Sequence, residues 1–407
     1  MNYSLSFKAN STRSKIYLPA SKSIANRLLI MQALSNGSLA LENSSTAEDT
    51  LLLEAALKSN ESIINVGMAG TAYRFLTAYY ACQKGKTVVL DGAERMHKRP
   101  IKLLVDVLRT LGADINYLKE EGFPPLKING KQLSVGKISI DGSISSQYIS
   151  AILMILPLLE TDSQLELTGR VVSLPYIDLT IGLMKAAGIQ VQRKDNKVKV
   201  QNGIYGSLSP IKVEADWSAA AFFYQFVALS DLSIELIDLD FNSLQGDQKT
   251  AHHFEKLGVK TEKTSQGLLL TKSTIPNHEF VTFDLVDCPD LIPAIAATAA
   301  QLIDKTVISG TSTLRIKESN RVEALQKELA KVNVELIDLE EDVIEIHKTS
   351  GNTSHPVFGT HNDHRMAMCL APLVCVYQNI EIEAIEVVQK SFPSYWKEIE
   401  KLGVVIN

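Results

Sequence analysis

A unit that recurs six times along the chain limits what it can fold into. The unit is an amphipathic helix that ends at Gly and passes into a strand. It is seen at Gly112, Gly188, Gly258 and Gly403; Asn333 takes the place of Gly in a fifth copy, and Ser59-Asn60 marks a degraded sixth. Gly or Asn suits the left-handed residue that ends a helix. Pro100, Pro175 and Pro393 stand at the start of three of these helices, where the missing N–H costs nothing. A second unit alternates with the first: a short polar motif followed by an almost wholly apolar helix, beginning at Lys22, Gly70, Ser145, Asp216, Asp290 and Asp363. After the first copy these starts are spaced by roughly seventy residues, within the range of a supersecondary repeat. Helices apolar on all sides are buried. Three copies fit before about Glu214 and three after it. A βα barrel is the serious rival, but it uses one helix per strand, and here two kinds of helix alternate.

Six buried helices each carry polar residues at the N-terminus, and if those ends converge they build one anion-attracting site. In the first motif Ser21 is placed to cap the helix, with Lys22, Ser23 and Arg27 in its first two turns. Gly67-Met68-Ala69-Gly70-Thr71-Ala72-Tyr73-Arg74 has small residues that let a ligand approach backbone N–H groups, although a tight turn needs the same residues. Arg95, His97, Lys98 and Arg99 crowd one loop, and one or two of them are expected to face a ligand. Ser145, Ser146 and Gln147 precede an apolar helix; capping explains one such polar group, not three. In the second half, Asp290 is a cap or a general base, Arg315, Lys317 and Arg321 surround Glu318, and Asp363-His364-Arg365 opens an apolar helix. His364 has no partner spacing for a metal and reads as a network or capping residue.

A net charge of −5 argues against a nucleic-acid or membrane partner, so cations for an anionic ligand must be concentrated locally. Cys82, Cys288, Cys369 and Cys375 lack metal-type spacing and read as reduced core residues. The alternating segment 1–7 reads as a strand, not a signal peptide, and a cytoplasmic protein is expected.

The ordered motifs at 18–27, 69–74, 95–100, 141–147, 173–178, 245–247, 289–290, 315–321, 362–368 and 390–393 resemble the 5-enolpyruvylshikimate-3-phosphate synthase family over essentially the full length. The resemblance implies an α/β fold of two domains, each an inside-out α/β barrel of three βαβαββ repeats around buried helices. It assigns 1–18 with 215–407 to one domain and 19–214 to the other. It implies transfer of the carboxyvinyl group of phosphoenolpyruvate to the 5-hydroxyl of shikimate 3-phosphate, through a tetrahedral intermediate, with no metal or cofactor; a monomer is expected. Shikimate 3-phosphate would be held by Lys22, Ser23, Arg27, Ser145, Ser146, Ser173, Tyr176, Asp290 and Lys317. Phosphoenolpyruvate would be held by Lys22, Gly70, Arg99, Gln147, Arg321, Arg365 and Lys390. Asp290 would be the base, and Glu318 or Lys22 the proton donor. Met68, Phe75 and Thr313 depart from the family pattern, and Gly70 leaves room for the inhibitor glyphosate. The sister UDP-N-acetylglucosamine enolpyruvyl transferases differ: they carry a loop Cys, absent from 93–99 here, and Asn where Ser23 follows Lys22.

Overall fold

The computed structural model describes residues 2–8, 13–134, 137–143, 145–340, 342–351 and 353–407. Met1 of the alternating segment 1–7 and Ile144 of the serine-rich motif lie outside the described residues. The chain divides into two compact units, Ala20–Val213 and Met1–Pro19 with Glu214–Asn407.

In the Ala20–Val213 unit, strand Ile63–Asn65 runs parallel to Thr87–Asp91; Leu126–Asn129 and then Asp114–Tyr117 add antiparallel. The second sheet repeats this plan with Lys137–Asp141 beside Ser163–Thr168, then Lys197–Val200 and Val191–Lys194. The third copy keeps only its parallel pair, Ile211–Lys212 with Leu41–Glu42. Its helix ends at Ser59 in extended backbone, φ −74°, so the degraded copy lacks the left-handed exit. The other exits are left-handed: Gly112 φ 89°, Gly188 φ 86°, Gly258 φ 78°, Gly403 φ 96° and Asn333 φ 57°. That conformation turns the chain sharply from helix into strand, which is why Gly or Asn stands there.

The second unit builds the same sheet three times. Ser14–Tyr17 pairs parallel with Ile234–Ile237, followed by Gly267–Lys272 and Val259–Lys263. Phe280–Asp284 pairs with Lys305–Ser309, followed by Val343–Lys348 and Val334–Glu340. Val357–Phe358 pairs with Asn379–Glu383, followed by Asn2–Phe7 and Val404–Ile406.

In each unit the apolar helices form the core. Gly70–Ala81 and Ser146–Ile155 are buried but for Thr71 and Gln147. They pack on each other and on Lys22–Leu34. Trp217–Leu229, Ile292–Leu302 and His364–Leu370 do the same in the other unit. Helices that touch protein on every side need no polar face.

Two helix-start expectations are corrected. Only Pro175 lies in the first turn of its helix, Leu174–Ala186. Pro100 and Pro393 each lie two residues before Lys102–Thr110 and Tyr395–Glu400, with Ile101 and Ser394 as the capping residues. Among the described residues no helix is long and apolar enough to cross a membrane.

Candidate active site

The Ala20–Val213 unit gathers cations at helix starts. Ser21 occupies the N-cap position of Lys22–Leu34, but its buried hydroxyl has no partner among the described residues, and only its carbonyl closes the turn, to Ala25 N at 2.9 Å. The cap expected of its side chain is therefore not made. Lys22 Nζ reaches Asp49 Oδ2 at 2.9 Å, from the first turn of Glu48–Lys58. Nothing in the sequence distinguished Asp49 from an ordinary first-turn acid.

Arg27 is 2% exposed. It donates to Thr180 Oγ1 (2.7 Å), Ser23 O (2.8 Å), Ser150 Oγ (3.1 Å) and Tyr176 O (3.4 Å). All four acceptors are neutral, and burial lowers its pKa to about 10. These bonds use four of its five N–H groups. Arg74 is likewise buried; it donates to Gly70 O at 2.8 Å and lies 5.5 Å over the Tyr148 ring. Among the described residues neither Arg27 nor Arg74 meets a carboxylate.

Gly70 begins its helix, and a Cβ there would lie 2.8 Å from Arg99 Cζ and 2.7 Å from Arg74 Nη1. The glycine thus makes room for two guanidinium groups. Of the basic loop residues, His97 pairs with Asp91 at 2.7 Å, Lys98 with Glu94 at 3.2 Å, and Arg99 is the buried one. Ser145 and Ser173 sit at N-cap positions without side-chain caps, so capping explains neither. Ser173 is left-handed, φ 55°, a conformation that a non-glycine residue adopts only where its surroundings impose it. Ser146 is buried, and Gln147, Ser23 and Tyr176 are half-buried.

The second unit joins its candidates into one ion network. Asp290 follows Pro289 in a turn before Ile292–Leu302. Its Oδ2 lies 3.0 Å from Arg365 Nη2, and its Oδ1 lies 3.2 Å from Arg321 Nη1 and 3.5 Å from Lys317 Nζ. Glu318 takes Arg321 at 2.9 Å and Lys390 at 3.3 Å. Asp363 caps its helix through Arg365 N (2.9 Å) and takes Arg321 Nε (2.8 Å) and Ser319 Oγ (3.1 Å). Arg321 thus meets three carboxylates. Phe392 packs at an angle against the rings of Phe223 and Tyr395, which anchors the segment after Lys390.

Burial alone would raise the Asp290 carboxyl; the charges of Arg365, Lys317 and Arg321 outweigh it and hold it far below the usual range. Burial likewise opposes, and Arg321 reverses, the shift of Asp363, which falls to about 2. Asp247, bonded to Ser218, moves the other way: burial, then the Asp290 charge, push it up to about 6. Arg315 stands apart in an exposed pair with Asp338. His364 is buried 3.7 Å from Asp363, a network position.

The EPSP synthase (3-phosphoshikimate 1-carboxyvinyltransferase) family model matches residues 53–399. The 3-phosphoshikimate 1-carboxyvinyltransferase of Bacteroides fragilis (strain YCH46) is 43% identical over 100% of this chain and 99% of its own. That of Mannheimia haemolytica is 35% identical over 96% of each. A solved EPSP synthase structure from Acinetobacter baumannii superimposes with a TM-score of 0.78 at 22% identity, covering 100% of both chains. The fold, the ordered motifs and the full-length similarity lead to one conclusion: this chain belongs to the EPSP synthase (3-phosphoshikimate 1-carboxyvinyltransferase) family.

Proposed function

We propose that the clustered side chains are the substrate-binding and catalytic groups of a carboxyvinyl transferase. The chain transfers the enolpyruvyl group of phosphoenolpyruvate to shikimate 3-phosphate in aromatic amino acid biosynthesis. The 5-hydroxyl attacks C2 of phosphoenolpyruvate, and the tetrahedral intermediate then loses phosphate. Lys22, Ser23, Arg27, Ser145, Ser146, Ser173, Tyr176, Asp290 and Lys317 hold shikimate 3-phosphate. Lys22, Gly70, Arg99, Gln147, Arg321, Arg365 and Lys390 hold phosphoenolpyruvate. The substrates bring roughly six negative charges, and these residues answer them with seven cations.

Asp290 is the base, and the observation that carries this reading is its carboxylate held by Arg365, Arg321 and Lys317. Those cations make it a weak base at rest. Anionic groups of phosphoenolpyruvate on Arg321 and Arg365 would offset that field and raise its basicity. Glu318 or Lys22 delivers a proton to the methylene carbon. Glu318 pairs with Arg321 and Lys390, so its use as an acid requires substrate to draw those cations away.

Each unit is read as an inside-out α/β barrel, residues 19–214 forming one domain and 1–18 with 215–407 the other; the buried helices and repeated sheets support this. The protein is proposed to work in the cytoplasm as a monomer. The test is phosphate release from phosphoenolpyruvate, with and without shikimate 3-phosphate. Release that requires the acceptor and collapses in Asp290→Ala supports reaction and base together. Release without the acceptor counts against the transferase reading, and full activity in the variant counts against the base.

A further inference from the structure

The helix Arg321–Ala330 grips the segment before Arg365 at two points. At its start Arg321 holds Asp363. Seven residues later, about two turns along the same face, Glu328 is 2% exposed and holds the other end. Its Oε1 lies 2.7 Å from His361 Nε2, and its Oε2 accepts from Gly359 N at 2.8 Å. Lys331 closes the group, donating to Glu328 at 2.7 Å and to Val357 O at 2.8 Å.

Between the two grips the backbone is unusual. His361 (φ 53°) and Asn362 (φ 56°) are consecutive left-handed residues, and neither is glycine. Such a pair persists only where its surroundings impose it. Gly359 is where the carboxylate reaches the main chain: a Cβ there would lie 3.2 Å from Glu328 Oε1 and 3.6 Å from His361 Nε2. The turn delivers Asp363, which caps the helix carrying Arg365, whose guanidinium donates to Asp290 O and Oδ2 at 3.0 Å each.

We infer that Glu328 is a positioning residue for phosphoenolpyruvate binding: through His361 and Gly359 it holds the left-handed turn that sets Asp363 and Arg365. This rests on the reading that Arg321 and Arg365 hold phosphoenolpyruvate. Glu328 touches no substrate. Its effect therefore falls on one substrate and is rescued by a side chain that keeps an acceptor in place.

The experiment measures KM for each substrate and kcat on the full chain, for wild type, Glu328→Ala, Glu328→Gln, His361→Ala and Arg365→Lys. In Glu328→Ala, KM for phosphoenolpyruvate is expected to rise about tenfold, as for loss of the contacts behind a binding group. KM for shikimate 3-phosphate is expected to stay within about twofold of wild type. Glu328→Gln recovers most of the loss. His361→Ala shows part of it, and combined with Glu328→Ala adds little, because the two act as one unit. Equal rises in both KM values, or no rise in a folded Glu328→Ala, overturn the inference. If Glu328→Ala does not fold, His361→Ala decides alone: a selective rise supports the clamp and no rise overturns it. Arg365→Lys separates the layers. An unchanged KM for phosphoenolpyruvate there refutes the ligand assignment; a rise there with a flat Glu328→Ala refutes only the clamp.

Discussion

Arg27 and Arg321 are both buried guanidinium groups, 2% and 1% exposed, each near the start of a helix, one in each unit. Arg27 bonds only neutral oxygens, and burial lowers its pKa; Arg321 meets Asp363, Glu318 and Asp290, whose charges overcome burial and raise its own. If both groups hold substrate anions as proposed, the difference separates two ways of preparing for an anion. In the Ala20–Val213 unit, hydroxyl and carbonyl dipoles hold a cation whose charge stays uncompensated, so the field is ready before a ligand arrives. In the other unit the cations are already neutralised, and an incoming anion must compete with carboxylates. That competition couples binding to the ionisation of the groups proposed for proton transfer.

The comparison is broken most severely by Asp290→Asn. If the paired carboxylate is the base, kcat falls by about 10²- to 10⁴-fold, read as phosphate release at saturating substrates; a fall under tenfold removes Asp290 from that role. Asp363→Asn follows. It strips a carboxylate that is 0% exposed from Arg321, and is expected to lower unfolding free energy by about 3–5 kcal/mol in denaturant titration. Arg27→Met should behave oppositely, because it removes an uncompensated buried charge: stability stays level or rises, while calorimetry shows shikimate 3-phosphate binding about 10- to 100-fold weaker. A stability loss as large as that of Asp363→Asn would mean that the two guanidinium groups do the same job. Gly70→Ala pushes a methyl group into the space of Arg99 and Arg74, and should raise KM for phosphoenolpyruvate about tenfold with little change in that for shikimate 3-phosphate.

The smallest effect is on pH dependence. The folded-state pKa of Asp247 is raised from 3.8 to about 6, so the folded protein holds a proton there that the unfolded chain releases. Its contribution to stability is full below about pH 3.8 and fades as pH rises through about 6. Asp247→Asn should flatten that part of the stability curve. Asp290 has the opposite sign: its folded pKa is depressed, so its contribution is present above the unfolded value and is lost toward acid. An unaltered profile in Asp247→Asn would mean that Asp247 ionises as freely as a surface acid.

What the sequence makes legible follows from which physics is local. The left-handed exits at Gly112, Gly188, Gly258, Asn333 and Gly403 are set by backbone sterics, so the repeat is visible in the residues. The buried helices announce themselves because no polar face is present. Polar contacts are different. Ser21 and Ser145 look like caps, yet their hydroxyls do not cap, because side-chain direction is decided by neighbours distant in sequence. Asp49, Thr180 and Ser150 gain their meaning only when helices far apart in sequence meet Lys22 and Arg27. The left-handed backbone at Ser173 and His361 likewise leaves no local mark. The comparisons identify the family and the reaction; the residue roles in each cluster are what the predictions above test.

The placement of the first strands sets an order of assembly. Residues 20–213 form a contiguous unit, so every pairing it needs is available once that stretch of chain is made. The other unit depends on both extremes of the sequence: Ser14–Tyr17 waits for Ile234–Ile237, and Leu5 pairs with Ile380 and Ile406. Ser14–Tyr17 therefore finds its partner only after residue 237 is made and Asn2–Phe7 only after residue 379, and unpaired strand edges favour aggregation in such intervals. Pairings of such long sequence separation are expected to form later than the contacts within Ala20–Val213.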